Sequence, residues 1–272
     1  MPDSPHLAVA SALSSRFRAV LAEAWHFGRH WGGHFSVLHA GPYTPAKEET
    51  FRTAFSSLGL PEDTSFHCAE GPAADTLIRL ARENRVDMLL AGALERDLEP
   101  HFLSGVAREL LRRAPCSLVL FTKPQDEPVP PHRVVVMVDY SPAARAALQA
   151  AIDFAHRHSI EEFHVLSVFT PFAAARARMG NQDEPAGNTQ DEQARLDDFV
   201  SQICTTDLPI DTRVIQSTTG MGAADFIKSI GADLLVIPAA SNAEGNTLLS
   251  TSMDWVAQVI PCTLWVVKPS TA

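Results

Sequence analysis

The sequence lacks an apolar run long enough to cross a bilayer, which takes about 20 residues in a helix. Its N-terminus, Met1-Pro2-Asp3-Ser4-Pro5-His6, has no cationic region followed by an apolar stretch, so no signal peptide is predicted. A basic tail or stripe is missing too: 22 Lys and Arg face 32 Asp and Glu, for a formal net charge of −10. That balance argues against nucleic acid or an anionic membrane as partner. None of the four cysteines, Cys68, Cys116, Cys204 and Cys262, forms a C-x-x-C pair. Cys116 and Cys262 each follow a proline and begin an apolar run, which predicts small buried side chains and fits a reducing cytoplasm. Catalytic signatures are equally scarce. There is no G-x-S-x-G elbow, no G-x-x-x-x-G-K-[ST] loop and no G-x-G-x-x-G after a strand.

What the chain does contain, it states twice. Asp87-Met88-Leu89-Leu90 opens an apolar run that Ala114-Pro115-Cys116-Ser117-Leu118-Val119-Leu120 closes. Asp233-Leu234-Leu235-Val236 opens a second, closed by Ile260-Pro261-Cys262-Thr263-Leu264-Trp265-Val266. Aspartate and proline stand 28 residues apart in both, which argues for two copies of one folding unit. A length of 272 residues, with 46% hydrophobic and 20% charged residues, suits two globular domains. The polar, proline-rich tract from Lys123 to His132 cannot continue a helix or strand, and it sets expected domains at 1–124 and 132–272.

Each half alternates short apolar runs with amphipathic stretches. In the first, strands are predicted at His6–Ala12, His34–Ala40, Thr64–Ala69, Asp87–Ala93 and Ser117–Thr122. Helices are predicted at Ser14–Trp31, Ala46–Leu58, Ala73–Asn84 and Leu103–Arg113. In the second, strands fall at Arg133–Asp139, Phe163–Phe169, Asp211–Ser217, Asp233–Pro238 and Thr263–Lys268. Its helices fall at Pro142–His158, Gln190–Ile203, Gly222–Ile230 and Thr251–Val259, with Ser141 as a cap before Pro142. The polar tract Ala173–Thr189 has no periodicity and reads as a mobile loop or a fraying helix end, with no chemistry assigned to it. Such alternation predicts parallel strands joined by right-handed helical crossovers. The fold class is therefore α/β: two repeated open sandwiches, each a five-stranded parallel sheet with helices on both faces.

Other constellations are weaker. His26 and His30 share a helical face, with His34 and His39 following, a spacing that can hold zinc. No H-E-x-x-H or paired cysteine accompanies them, so solvent-exposed helix histidines are the expected state. His156 and His158 suit a helix C-terminus. Glu95, Asp97 and Glu99 read as a solvated acidic loop, with a divalent-cation site as the alternative, and Trp25, Trp31, Trp255 and Trp265 as core or interface packing residues.

Val134-Val135-Val136-Met137-Val138-Asp139-Tyr140-Ser141-Pro142, the Pro115-Cys116 and Pro261-Cys262 pairs, and the tract from Gly92 through Leu103-Ser104-Gly105-Val106-Ala107-Arg108 together resemble the universal stress protein family in its tandem form. The resemblance covers nearly the whole chain. It implies strand order 3-2-1-4-5 in each half and a ligand crevice where the chain reverses beside strand 1. That crevice is expected between Ala12 and Gly92 in the first half and between Asp139 and Pro238 in the second. It also implies that strands Ser117–Thr122 and Thr263–Lys268 pair, making an intramolecular pseudo-dimer, with a further homodimer compatible. ATP-binding members carry G-x-x-G, nine residues, then G-[S/T], because glycines let backbone N–H groups approach phosphate at a helix N-terminus. Here Gly92 fits, Glu95 replaces the second glycine, Ser104-Gly105 is reversed, and Ala12 stands opposite Asp139. In the second half Pro238 and Ser241 replace the two glycines.

The resemblance thus implies a stress-response binding protein, not an enzyme, with weak or lost binding of ATP or another adenine nucleotide, the second half expected to hold the nucleotide weakly and the first to serve as its structural partner. Candidate nucleotide-binding residues are Asp139 and Val168 toward the adenosine, Ser241, Ser250, Thr251 and Ser252 toward the phosphates, and Gly92, Ser104 and Gly105 in the first half. The commoner job of Ser104, Ser250 and Thr251 is helix capping, and Asp139 could equally orient the turn to Pro142. A nucleotide-hydrolysing enzyme and a ligand-free interaction scaffold are the alternatives. No catalytic base or metal ligand is identified for the first of these.

Overall fold

A computed structural model of the chain describes residues 4–93, 103–169, 189–205, 207–217 and 220–269. Glu95, Arg96, Asp97 and Glu99, and the Ala173–Thr189 tract up to residue 188, lie outside these residues. The first half runs β1 (His6–Ser11), α1 (Phe17–Gly28, prolonged by a 3₁₀ turn, Arg29–Trp31), β2 (His34–Ala40), α2 (Pro45–Leu58) and β3 (Ser65–Ala69). It continues with α3 (Ala73–Glu83), β4 (Met88–Gly92), α4 (Gly105–Arg113) and β5 (Ser117–Phe121). The second half repeats the order as β6 (Arg133–Val138), α5 (Pro142–His158), β7 (Glu162–Phe169), α6 (Thr189–Ser201) and β8 (Ile210–Gln216). Then come α7 (Met221–Ser229), β9 (Leu234–Pro238), a hairpin of β10 (Ala240–Ser241) and β11 (Thr247–Leu248), α8 (Thr251–Val259) and β12 (Thr263–Val267).

Ten strands form one sheet in the order β3-β2-β1-β4-β5-β12-β9-β6-β7-β8. Each half contributes five parallel strands in the order 3-2-1-4-5, and the halves join where β5 and β12 run antiparallel, with Trp265 opposite Val119. The repeated aspartates now have a physical role. Asp87 accepts from the backbone N–H of His6 at 2.8 Å, and Asp233 accepts from that of Arg133 at 2.9 Å. Each carboxylate thus caps the start of its half's central strand from the strand beside it. The matching cysteines are buried as expected, and burial pushes both thiols up to about 12.

Apolar side chains alternate to the two faces of the sheet and make two continuous cores. One lies under α1, α2, α5 and α6, the other under α3, α4, α7 and α8, and both cross the seam. At the seam Phe27, Trp31, Phe121, Phe154 and Trp265 interlock. Phe27 meets Phe154 at 4.8 Å and stands edge-on to Trp265 at 5.6 Å, while Trp31 reaches Trp265 at 5.8 Å. The opposite end of the seam is polar. Buried Lys268 gives its backbone N–H to Ser117 Oγ at 3.1 Å and its ammonium to the Ala114 carbonyl. Burial lowers the pKa of that ammonium. The linker is strapped to α1: Gln125 N–H donates to Glu23 at 3.1 Å and Arg18 pairs with Asp126 at 3.0 Å.

Of the two helix histidines expected to be solvent-exposed, His30 is exposed and His26 is not. α1 and α5 pack across the seam and bring His26 and His30 to His158, with ring centroids 6.2 and 4.8 Å from it. His158 stacks on Phe154 at 4.1 Å and is buried, and His26 is half-buried. Sequence spacing could not reveal this, because the partner ring lies more than 100 residues away. Among the described residues no three His, Cys, Asp or Glu side chains converge as a metal site.

Two predictions follow from the seam. Trp265 is fully buried, so Trp265→Ala leaves a large cavity and should cost about 3–5 kcal/mol, read as a lower urea midpoint. Burial first, then His30, His26 and Arg29, lowers the His158 pKa to about 4. The unfolded chain, with an ordinary imidazole value of 6.5, therefore binds more protons across that window. Stability should fall as pH drops from 6.5 toward 4, by up to about 3 kcal/mol. In His158→Phe the slope of urea-unfolding free energy against pH should flatten; an unchanged slope would place the acid sensitivity elsewhere.

Candidate functional site

The chain reverses direction beside each central strand, and the two reversal points have diverged. In the first half a cavity of about 530 Å³ opens at the carboxyl ends of β1 and β4. Its floor is small and apolar, with Ala10, Ala40, Ala91 and Gly92 at strand ends, and Val20, Leu77 and Leu110 rising from three helices. Small residues at strand ends leave the space, since any larger side chain there would fill it. At Gly92 even an added Cβ would stand 3.3 Å from Val20 Cγ2.

Two helix N-termini close on this cavity. Ser14, Ser15, Arg16 and Phe17 at the start of α1 line it, as do Ser104 and Val106 at the start of α4. Neither helix carries an acidic residue in its first turn, so the positive ends of both dipoles stand uncompensated. Ser11 is 6% exposed, lines the cavity, and its hydroxyl has no hydrogen-bond partner among the described residues. Its carbonyl accepts from buried His39 Nδ1 at 3.0 Å if that nitrogen is protonated, which ties the ends of β1 and β2 together. Ser11 escaped the sequence reading because nothing marks the last residue of a strand as polar for a purpose. Only its burial without a partner does so. The described lining residues include no carboxylate, imidazole or thiol that could act as a general base.

The candidate residues of the first half are thus brought together: Gly92 in the floor, Ser104 on the wall, and Gly105 at the first position of α4. Ser104 is also the helix cap, accepting from Ala107 N–H at 3.0 Å. One lone pair serves the helix, and the hydroxyl hydrogen remains available to an acceptor in the cavity.

The second half places its candidates differently. Asp139 is exposed and turned back on its own loop, accepting from Ser141 N–H at 3.2 Å, while Ser141 caps α5 through Ala144 N–H at 3.1 Å. Tyr140 follows in the left-handed region, with φ of 62°. Its ring lies under the Arg195 guanidinium at 4.0 Å and edge-on to Phe199 at 5.4 Å. Val168 is half-buried near the end of β7. Ser241 sits in no loop at all: it is exposed in β10 and pairs with Thr247 of β11. Asn242 then folds the turn, accepting from Glu244 N–H at 3.0 Å and Asn246 N–H at 2.8 Å, with Gly245 at φ of 80°. Backbone N–H groups that a phosphate loop would offer are spent inside this hairpin. The turn signal Asn242-Ala243-Glu244-Gly245-Asn246 was present in the sequence, but two-residue strands are too short to show periodicity. Ser250 stands at the cap position of α8 without making the expected side-chain cap bond; exposed Thr251 opens the helix. Ser252 lies against α7, where a Cβ on Gly220 would come within 2.4 Å of its carbonyl oxygen.

Comparison with known proteins agrees with this architecture. The family model described as the universal stress protein family matches residues 45–122 and 131–268. A universal stress protein from Archaeoglobus fulgidus superposes with a TM-score of 0.70 at 15% identity, covering 97% of this chain and 98% of its own. A functionally unknown protein from Pseudomonas aeruginosa PAO1 gives 0.67 at 14% identity, covering 98% and 93%. A putative universal stress protein from Pseudomonas aeruginosa UCBPP-PA14 gives 0.66 at 13%, covering 98% and 94%. No curated protein sequence matches. Identities this low speak for the fold, while the family match spans most of the chain in two consecutive segments. The chain belongs to the universal stress protein family, in a tandem form that carries the family's α/β unit twice.

Proposed function

We propose that this chain is a binding protein, not an enzyme, and that its ligand is an adenine nucleotide held by the first half rather than the second. The supporting observation is the cavity between β1 and β4, where two acid-free helix N-termini and the unpartnered Ser11 hydroxyl surround an apolar floor. A flat apolar base suits the floor, and phosphate suits the helix ends. Ala12 removes the carboxylate that Asp139 offers in the second half, so affinity rests on the helix termini and on burial of the base. The second half, with its N–H groups committed to a hairpin and its aspartate to a turn, serves as structural partner. A further homodimer is compatible with this reading, since β3 and β8 remain the free edges of the sheet.

Titration calorimetry with ATP, ADP, AMP and adenosine tests the assignment. Gly105→Glu is the decisive variant. Nothing lies within 4 Å of a Cβ at Gly105, and glutamate at a first helical turn favours the helix. Binding of the phosphorylated ligands should weaken at least about tenfold while thermal stability holds or rises. Asp139→Ala should leave binding as it was. Loss of binding in Asp139→Ala with retention in Gly105→Glu would move the site to the second half. Ser104→Ala separates capping from binding: loss of the cap alone should cost about 1 kcal/mol of stability, read as a lower melting temperature.

A further inference from the structure

A further opening belongs to neither crevice. A groove of about 980 Å³ runs along the seam between α4 and α8, beneath the β10–β11 hairpin. These two helices occupy the same place in the two repeats, so the groove lies where the internal two-fold would make its walls alike. They are not alike. Aligning Pro115 with Pro261 sets Arg108 opposite Asp254 and Arg112 opposite Gln258. One wall and rim are therefore cationic, with Arg108, Arg112, Lys123 and Lys228 against the single carboxylate Asp254.

That carboxylate accepts from Gln258 Nε2 at 2.9 Å along its own helix and forms no ion pair with these cations among the described residues, so it offsets one positive charge of the four without tying up any one of them. Arg112 is bridged to Glu109 at 2.7 Å. Arg108, Lys123 and Lys228 have no carboxylate partner among the described residues, in a chain of net charge −10. The rest of the lining is apolar, with Leu111 from α4 itself and Leu249, Trp255, Val259 and Pro261 from the second half. Three cations without a carboxylate partner among the described residues, of which Arg108 donates to the Leu103 carbonyl at 3.4 Å, stand beside aliphatic and aromatic surface and match an anion with an apolar tail.

We infer that the interdomain groove binds an amphipathic organic anion of the acyl carboxylate class, its chain along Leu111, Trp255 and Val259 and its head among Arg108, Lys123 and Lys228. The cavity size suits a ligand of drug-like or medium-chain length. The site exists because duplication freed the two copies of one helix to differ. An assembly of identical halves would put Arg108 and Arg112 on both walls or on neither.

Calorimetric titration of the full chain with decanoate tests this, with decanol as the body lacking charge and inorganic phosphate as the charge lacking a body. Decanoate should bind once per chain, at least about tenfold more tightly than either control. The double variant Arg108→Gln/Lys228→Gln should lose at least about tenfold in affinity with an unchanged melting temperature, since both side chains are exposed. Trp255 fluorescence should change on binding in the parent, and the change should vanish in Trp255→Phe. Equal binding of decanol, full affinity in the double variant, or no binding of decanoate at millimolar concentration would each overturn the inference.

Discussion

The antiparallel pairing of β5 with β12 is the contact on which the rest of the molecule depends. A five-stranded open sheet ends in an edge of unpaired backbone groups, and each half of this chain would expose one made of bare apolar residues. Joining the two edges satisfies the backbone and lets the cores on both faces run uninterrupted from one half to the other. The aromatic cluster around Trp265 then fixes the angle at which α1 meets α5, and buried Lys268 closes the far end against Ala114 and Ser117. Because one linker carries both halves, the pairing is intramolecular and independent of concentration.

That arrangement explains how two copies of one unit came to carry different chemistry. The framework residues have stayed the same: Asp87 and Asp233 cap the same strand position, and Cys116 and Cys262 are both buried after a proline. The strand ends have not. In the first half, Ala12 and the small residues around Gly92 leave an open space faced by helix termini. In the second, Tyr140 packs beneath Arg195, and the residues after Pro238 form a self-bonded hairpin that reaches across to α4. Thr247 of that hairpin and Leu249 after it line the groove between the copies.

The histidines show the same effect in electrostatic form. His26 and His30 look ordinary on an exposed helix face until α5 brings His158 against them, half-burying His26 and leaving the outer side of His30 exposed. Then three imidazoles and the guanidinium of Arg29 share one partly dry interface, and every one of the three histidines has its pKa lowered, by burial above all. Arg157 belongs to the same interface, donating to the His30 carbonyl at 3.0 Å. The junction that stabilises the molecule at neutral pH is therefore also where acid acts on it.

Much of this was readable from the residues themselves. Among the described residues, apolar periodicity located every strand of the main sheet and every helix to within a few residues, since burial on one face or two imposes a period that needs no knowledge of the partner. The matched spacing of Asp87 to Pro115 and Asp233 to Pro261 established the duplication, and the family resemblance supplied strand order and the seam. Only tertiary structure could decide which residues from distant parts of the chain share a space. Ser11 gains meaning from being buried without a partner, His158 from the helix that covers it, Ser241 from Thr247 across a hairpin, and Arg108 from a wall built by the other repeat. Local sequence specifies what each segment must bury. It does not specify what stands on the other side, and both proposed sites are defined by what stands there.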